Sequence, residues 1–147
     1  MKNFLQTTVV VLVGIITGFC MNIQTFGAPT MQEQILRQIN NVRIEKGLSE
    51  LKYDAALSKK AATRAEESSF FYSHTRPDGT PWYTIDEKAT GENLYKGEEY
   101  YAPTEYCVNM WTESASHLEV MMLGNVSYAG VGIYFDNGTY YICLEVA

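Results

Sequence analysis

Apolar positions after residue 30 first recur with the period of an α-helix. Between residues 32 and 46 they repeat every three or four positions, which predicts a helix with one buried stripe. Thr30 and Glu33 form the capping-box pattern at its start, and Gly47 is suited to end it. The domain is therefore expected to open with an amphipathic helix.

A second helix is predicted from Asp54, as its N-cap, to about Ser69. Ala61 and Ala65 lie on its predicted inner face, where small side chains allow close packing. The charged residues of this helix, Arg64 among them, are expected to face outward.

The pattern then changes twice along the chain. Residues 70–101 are aromatic and irregular, and so long an irregular stretch in a compact domain is usually functional. Helices are predicted at 103–114 and 116–123, followed by two alternating segments joined at Asn137-Gly138, a strong hairpin signal. Helices first and antiparallel strands last predict an α+β fold.

The N-terminal segment is expected to lie outside the domain. Its uncharged run from Val9 to Phe19 is short for a membrane span, which favours a cleaved secretory signal peptide over residues 1–28. The alternative is a retained membrane anchor at residues 4–23. The folded domain would then occupy residues 30–147 and be secreted, or held at a membrane only if the anchor is retained.

The charge of the chain bears on its partners. With 17 Asp and Glu against 11 Lys and Arg, the net charge is −6. An acidic surface repels phosphates, so nucleic acid is not an expected partner.

Removal of the signal leaves two cysteines, Cys107 and Cys143. An even pair in an exported chain predicts one disulfide, and the alternative is two unrelated buried thiols.

The strongest candidate chemistry lies in the only two histidines, His74 and His117, with Glu92 between them in a Gly-Glu-Asn word. Each alone is most simply a capping or solvated polar residue. Together, two imidazoles and a carboxylate from separate segments are the components of a metal or acid–base site.

Four short motifs occur in order along the chain: Phe-Tyr-Ser-His-Thr-x-Pro-Asp-Gly, Gly-Glu-Asn-Leu, Trp-x-x-Ser-x-x-His and Gly-Val-Gly. They resemble the CAP superfamily, named for cysteine-rich secretory proteins, antigen 5 and pathogenesis-related 1 proteins, and more closely its bacterial SCP-like branch. The opening helix, with Ile39-Asn40-x-x-Arg43, fits the same family.

The resemblance implies an α-β-α sandwich with a small, three-stranded antiparallel sheet between helical layers. It also implies a cleft with two histidines and two carboxylates, here His74, Glu92 and His117, which in the family can hold zinc or another divalent cation. The fourth position, counted from the helix tryptophan, is Ser114, with Glu113 beside it. In this fold the third helix and last strand pack together, which also favours the Cys107–Cys143 disulfide.

Three functions follow as hypotheses. The leading one is a secreted CAP-type binding module whose cleft takes a divalent metal, a small apolar (lipid- or sterol-like) ligand or a partner protein. The tyrosines, most of them expected to pack on strands and cleft walls, could alternatively line such an amphipathic groove. The alternatives are a metal-assisted hydrolase with zinc on His74 and His117 and Glu92 as ligand or base, and a structural surface-interaction domain. No catalytic residue is assigned, because the sequence lacks a known nucleophile or zinc-protease motif.

Overall fold

Four helices and four strands make up most of residues 28–101 and 103–147, the part of the chain that the computed structural model describes. The helices are α1 (Met31–Glu45), α2 (Ala55–Phe70), α3 (Pro103–Glu113) and α4 (Ala115–Met121), and the strands are β1 (Lys52–Tyr53), β2 (Gly91–Glu98), β3 (Tyr128–Asp136) and β4 (Thr139–Val146). Of the predicted signal peptide, residues 1–28, only Ala28 is among the described residues, and the alternative anchor, residues 4–23, lies wholly outside them. Within those ranges no helix is both long and apolar enough to cross a bilayer.

The four strands form one sheet in the order β1-β3-β4-β2. β4 pairs antiparallel with both β2 and β3, while the two-residue β1 adds to β3 in parallel. The predicted α+β sandwich and its three-stranded antiparallel sheet are confirmed, with β1 as a short parallel addition. β2 is an edge strand, and the candidate functional site lies along its unpaired edge.

Helix α2 covers one face of the sheet at very close range. A Cβ on Gly132 would lie 2.0 Å from the backbone of Ala61 and Ala62, and one on Gly130 would lie 2.4 Å from that of Leu57. No real Cβ makes such contacts, so this separation of helix and strand requires glycine at both positions. The two glycines of the Gly-Val-Gly motif therefore allow α2 to pack directly on β3; this contact is called the seat of α2.

Helices α1 and α3 cover the opposite face, and α4 adds its C-terminal Met121 to the same core. Their buried side chains pack against the strand residues that point away from α2, and together these form the larger hydrophobic core; it includes Ile35, Ile39, Val108, Trp111, Met121, Val131, Ile142, Leu144 and Val146. The sheet thus has a helical layer on each side.

Two polar residues of α1 hold this layer together. Asn40 exchanges hydrogen bonds with the backbone of Leu51, at 2.8 and 3.0 Å. Arg43, fully buried, donates to the carbonyl oxygens of Ser49, Met121 and Leu123. Asn40 therefore joins α1 to the segment before β1, and Arg43 joins it to the end of α4.

The predicted disulfide is absent: Cys107 and Cys143 are both free, buried thiols. Helix α3 does pack on the sheet, but side chains alternate along β4, and Cys143 shares the α2 face with Tyr141. Cys107 lies in the core on the other face, with Ile142 and Leu144. The expectation was wrong because it considered which elements pack together and not which face each side chain occupies.

Candidate functional site

The site lies where groups from both faces of the sheet meet at the free edge of β2. The Gly-Glu-Asn word, expected in an irregular segment, forms the start of this strand. Because side chains alternate, Glu92 points to the α2 face and Asn93 to the face covered by α3 and α4. Gly91 has no side chain, and a Cβ there would lie 2.9 Å from Val120 of α4.

His74 is carried by a short loop that follows α2. Thr75 and Pro81 form an isolated β-bridge, and the Trp82 amide donates to the His74 carbonyl at 2.9 Å. Gly79, with φ of +84°, makes the turn between them. This loop places Nδ1 of His74 at 2.8 Å from Oε1 of Glu92, while about half of the His74 side chain remains exposed.

Glu92 is held by a buried arginine. Arg64 donates from Nε to Oε2 at 2.7 Å and from Nη2 to Oε1 at 3.0 Å, and neither side chain is accessible to solvent. Burial by itself would raise the pKa of Glu92, but the hydrogen bonds from His74 and Arg64 outweigh it and leave that pKa below its usual value. Glu92 is therefore a charged carboxylate on the floor of the site.

The expectation that Arg64 faces outward was wrong. Arg64 lies three residues after Ala61 on the inner stripe of α2, and its charge is balanced by Glu92 and by Glu67, at 2.7 Å from Nη1. It also donates to the carbonyl of Ser73 at 2.8 Å, so it positions the residue before His74 as well. Arg76 completes the chain of ion pairs, at 2.6 Å from Glu67.

A second carboxyl group lies beside Glu92, and it comes from β4. Glu145 is the register partner of Glu92 and has no solvent exposure. Burial and the neighbouring charge of Glu92 raise the pKa of Glu145 to about 9, so it is protonated at neutral pH. The pair therefore carries a single negative charge, which Arg64 balances.

His117 reaches the site from the other face. Its Nδ1 lies 2.7 Å from Oγ of Ser114, and its carbonyl accepts a hydrogen bond from Nδ2 of Asn93 at 2.9 Å. Burial and repulsion from His74 lower the pKa of His117, which favours its neutral form. Of the two residues proposed for the fourth position, Ser114 contacts His117, whereas Glu113 is exposed on α3.

These groups line an open cleft of about 400 Å³. Its walls are formed by His74, Trp82, Thr90, Gly91, Glu92, Asn93, Ser116, His117 and Val120. Oδ1 of Asn93 is buried and has no hydrogen-bond partner in the described part of the chain.

The three residues predicted as metal ligands meet here, but not as a closed set of three. Within residues 28–101 and 103–147, the only three potential ligand atoms that lie within 4.8 Å of one another belong to Glu92, Cys143 and Glu145. That group is fully buried and already contains the Arg64 ion pair. In the cleft, Glu92 is instead bonded to His74, as a carboxylate that orients a histidine.

Sequence reasoning missed Arg64, Trp82 and Glu145. The signal for Arg64 was its place on the alanine stripe of α2. The signal for Glu145 was an acidic residue between Leu144 and Val146 in an otherwise apolar strand. Trp82 lay in the irregular segment and carried no positional signal.

Residues 36–146 match the CAP model, the cysteine-rich secretory protein family. The chain belongs to the CAP family, as its motifs predicted. No curated protein is similar enough to match the sequence.

Solved structures with the same fold are distant in sequence. An extracellular protein with an SCP domain from Bacillus anthracis is 17% identical, with a TM-score of 0.63 over 78% of this chain and 40% of that one. An outer surface protein of Borrelia burgdorferi is 20% identical, with a TM-score of 0.62 over 80% and 95%. NaASP2, whose structure was solved with Zn²⁺, is 13% identical, with a TM-score of 0.61 over 78% and 77%. The chain thus spans less than half of the Bacillus protein.

Proposed function

We propose that this CAP domain is an exported binding module whose cleft takes a divalent cation, with zinc as the best candidate. His74 and His117 would supply the protein ligands, and Glu92 would orient His74. The cation would keep open positions, at which a small molecule or a side chain of a partner protein could complete the site.

One observation carries this proposal: both histidines use Nδ1 within the protein. His74 bonds through Nδ1 to the charged Glu92, which can only accept, so Nδ1 carries a proton and Nε2 is the ring nitrogen left to bind a cation. A histidine that donates one ring nitrogen to a carboxylate and offers the other is the usual arrangement at zinc sites. For His117, Nδ1 bonds to Ser114, and its lowered pKa favours the neutral ring that a metal requires.

The relatives support the same proposal from outside the chain. NaASP2, with the same fold, was crystallised with Zn²⁺, and the Bacillus and Borrelia proteins are described as extracellular and outer-surface proteins. Export of this chain rests on its signal-like N-terminal segment together with these descriptions. The acidic net charge of −6 also favours a cation over an anion as the bound species.

Zinc binding is tested by isothermal titration calorimetry on the metal-free domain. We expect one Zn²⁺ per chain, a loss of at least tenfold in affinity for His74→Ala or for His117→Ala, and weaker binding below pH 6, where imidazoles are protonated. Glu113→Gln, which removes an exposed carboxylate next to the site, is the matched control and should bind as the wild type does. Stoichiometric binding that survives both histidine substitutions would contradict the proposal.

A structural role is the second candidate, and the His74–Glu92 hydrogen bond favours it. The network Arg76–Glu67–Arg64–Glu92–His74 joins α2, its following loop and β2 through short ion pairs and, at its end, the His74–Glu92 hydrogen bond. If the network has only this structural role, His74→Ala should lower the free energy of unfolding. Neither the wild type nor His74→Ala should then bind a metal detectably. For the hydrolase alternative, Ser114 and His117 lie in contact, but in the described residues no carboxylate bonds to that histidine.

A further inference from the structure

The hydroxyl group of Ser114 lies 2.7 Å from Nδ1 of His117, at the junction of α3 and α4. A hydroxyl within hydrogen-bond reach of an imidazole nitrogen is the arrangement in which histidine takes up the proton and activates the oxygen as a nucleophile. The zinc proposal uses only Nε2 of this ring as a ligand. The hydroxyl of Ser114 is therefore left without a chemical role.

This hydroxyl is not engaged in capping the helix that follows it. Ser114 occupies the N-cap position of α4, where a serine side chain ordinarily accepts a hydrogen bond from a backbone N–H of the first turn. In α4 the side chain makes no such bond. It bonds instead to the imidazole of His117, and Oγ of Ser116 lies further away, at 3.4 Å.

His117 is placed and charged as a base should be. Its carbonyl accepts a hydrogen bond from Nδ2 of the buried Asn93 at 2.9 Å, which holds this turn of α4 against β2. Burial and the neighbouring His74 lower the pKa of His117 and favour its neutral form. A neutral imidazole has one unprotonated nitrogen, and when that nitrogen is Nδ1 it can accept the proton of Ser114.

The pair opens on a cavity that a small molecule can enter. Ser114 and His117 both line a cavity of about 290 Å³ beside α3, close to the lower end of small-molecule sites, about 300 Å³. Its other walls include Tyr72, Tyr106 and Met110, which are each about half exposed, so the cavity is open to solvent on that side. Such apolar walls beside a nucleophile favour a small uncharged substrate.

We propose that Ser114 and His117 form an acyl-transfer dyad for small uncharged esters in the metal-free domain. As Oγ of Ser114 attacks the ester carbonyl, its proton moves to Nδ1 of His117. The bond from the carbonyl carbon to the leaving oxygen then breaks, and that oxygen takes the proton from His117 and departs as the alcohol or phenol. Water, deprotonated by Nδ1 in the same way, attacks the acyl-serine and releases the carboxylic acid and free Ser114.

Turnover by this dyad should be slow. In the described residues no carboxylate bonds to His117, and in a complete triad the loss of the carboxylate partner lowers kcat by about 10⁴. The acyl group should therefore be observed on Ser114 more readily than many cycles of hydrolysis. The two uses of His117 also exclude each other, because an imidazole bound to a cation through Nε2 keeps its proton on Nδ1.

The proposal is tested by treating the metal-free domain, in the presence of a chelator, with excess 4-nitrophenyl acetate. We expect one acetyl group on Ser114 by peptide mass mapping, and at least about tenfold slower acetylation of that residue in His117→Gln. Ser114→Ala should lose the label, whereas Ser114→Cys, which keeps a nucleophile beside His117, should retain it. Ser127→Ala is the matched control, because Ser127 is exposed and lines neither the cleft nor this cavity.

The pH dependence of the reaction separates a dyad from a passive hydroxyl. With His117 as base, the rate at Ser114 should rise as the ring loses its proton and level off by neutral pH, because the pKa of His117 is lowered. His74 and the charged Glu92 are the other titratable groups that line the cleft with it.

Three results would overturn the proposal: no acetyl group on Ser114, labelling that His117→Gln leaves unchanged, or a rate that keeps rising above neutral pH. Circular dichroism establishes that each variant is folded before rates are compared. No zinc is present in this experiment, so its failure and the failure of the zinc proposal are separate outcomes.

Discussion

Glu92 and Glu145 face each other across β2 and β4, and only Glu92 carries a charge at neutral pH. Arg64 and His74 lower the pKa of Glu92 against the effect of burial, whereas burial and the charge on Glu92 raise the pKa of Glu145. The floor of the cleft is thus a buried anion balanced by one arginine, with a neutral acid beside it. The charged Glu92 positions the ring of His74 through its hydrogen bond with Nδ1.

The Glu145 proton predicts how stability depends on pH. The folded pKa, about 9, is higher than the usual carboxyl pKa near 4.5, so the folded state binds more protons between these values. The contribution of Glu145 to stability is complete below about pH 4.5 and is lost as pH rises towards 9, at up to ~1.4 kcal/mol per pH unit. Glu145→Gln cannot lose this proton.

Urea unfolding of the metal-free domain between pH 5.5 and 8.5 measures this effect. We expect the difference in free energy of unfolding, Glu145→Gln minus wild type, to increase steadily as pH rises. Other titrating groups are shared by the two proteins and cancel in the difference. Parallel pH profiles would show that Glu145 is ionised or that it titrates alike in both states.

Removal of Arg64 should strongly destabilise the domain. Arg64→Met leaves Glu92 buried and charged without its partner, a change that typically costs about 3–5 kcal/mol. The double variant Arg64→Met/Glu92→Gln removes both charges and should recover part of that loss. Chemical denaturation of the two variants checks this, and equal stabilities would mean that the ion pair contributes little.

The seat of α2 on β3 predicts a sharp difference between two glycines. Gly132→Ala forces a Cβ into the backbone of α2 and should cost about 1–3 kcal/mol or more. Gly124→Ala is the matched control, because a Cβ there has nothing within 4 Å and its φ is not positive. Thermal unfolding should place Gly124→Ala near the wild type and Gly132→Ala well below it.

Both thiols of the mature domain should be free. Burial raises the pKa of Cys107 and of Cys143 well above the usual thiol value, so both should resist alkylation in the folded state. In denaturant without reductant, two thiols per domain of residues 30–147 should react. Intact mass spectrometry reports the same result, and a mass 2 Da lower, with no reactive thiol, would establish the disulfide.

The sequence predicted the elements better than the faces they present. Periodicity and capping residues placed all four helices to within about two residues, and Asn137-Gly138 placed the hairpin, because these signals are local. Edge strand β2 was missed because its Gly-Glu-Asn word has no alternation of apolar and polar residues. The first five residues of this strand are nevertheless buried. Its pairing with β4 is a long-range contact that no local pattern reports.

The site was predicted in its histidines and not in its supporting residues. The motifs that resemble the CAP family led to His74, Glu92 and His117, and these line one cleft. Arg64 and Glu145 were not recognised because charged side chains are expected at the surface. Arg64 is buried with its ion-pair partner Glu92, and Glu145 is buried as a neutral acid. The disulfide failed for a related reason, since Cys143 and Cys107 lie on opposite faces of one sheet.

The central claim, that Nε2 of both histidines is free to bind a cation, can be read directly. The chain has only two histidines, so a long-range ¹H–¹⁵N spectrum of the labelled, metal-free domain contains two imidazole patterns. We predict a protonated Nδ1 for His74 and, on addition of one equivalent of Zn²⁺, a large shift of the Nε2 signals of both rings. Spectra in which Zn²⁺ leaves both Nε2 signals unchanged, or in which His74 is protonated at Nε2 in place of Nδ1, would contradict the account.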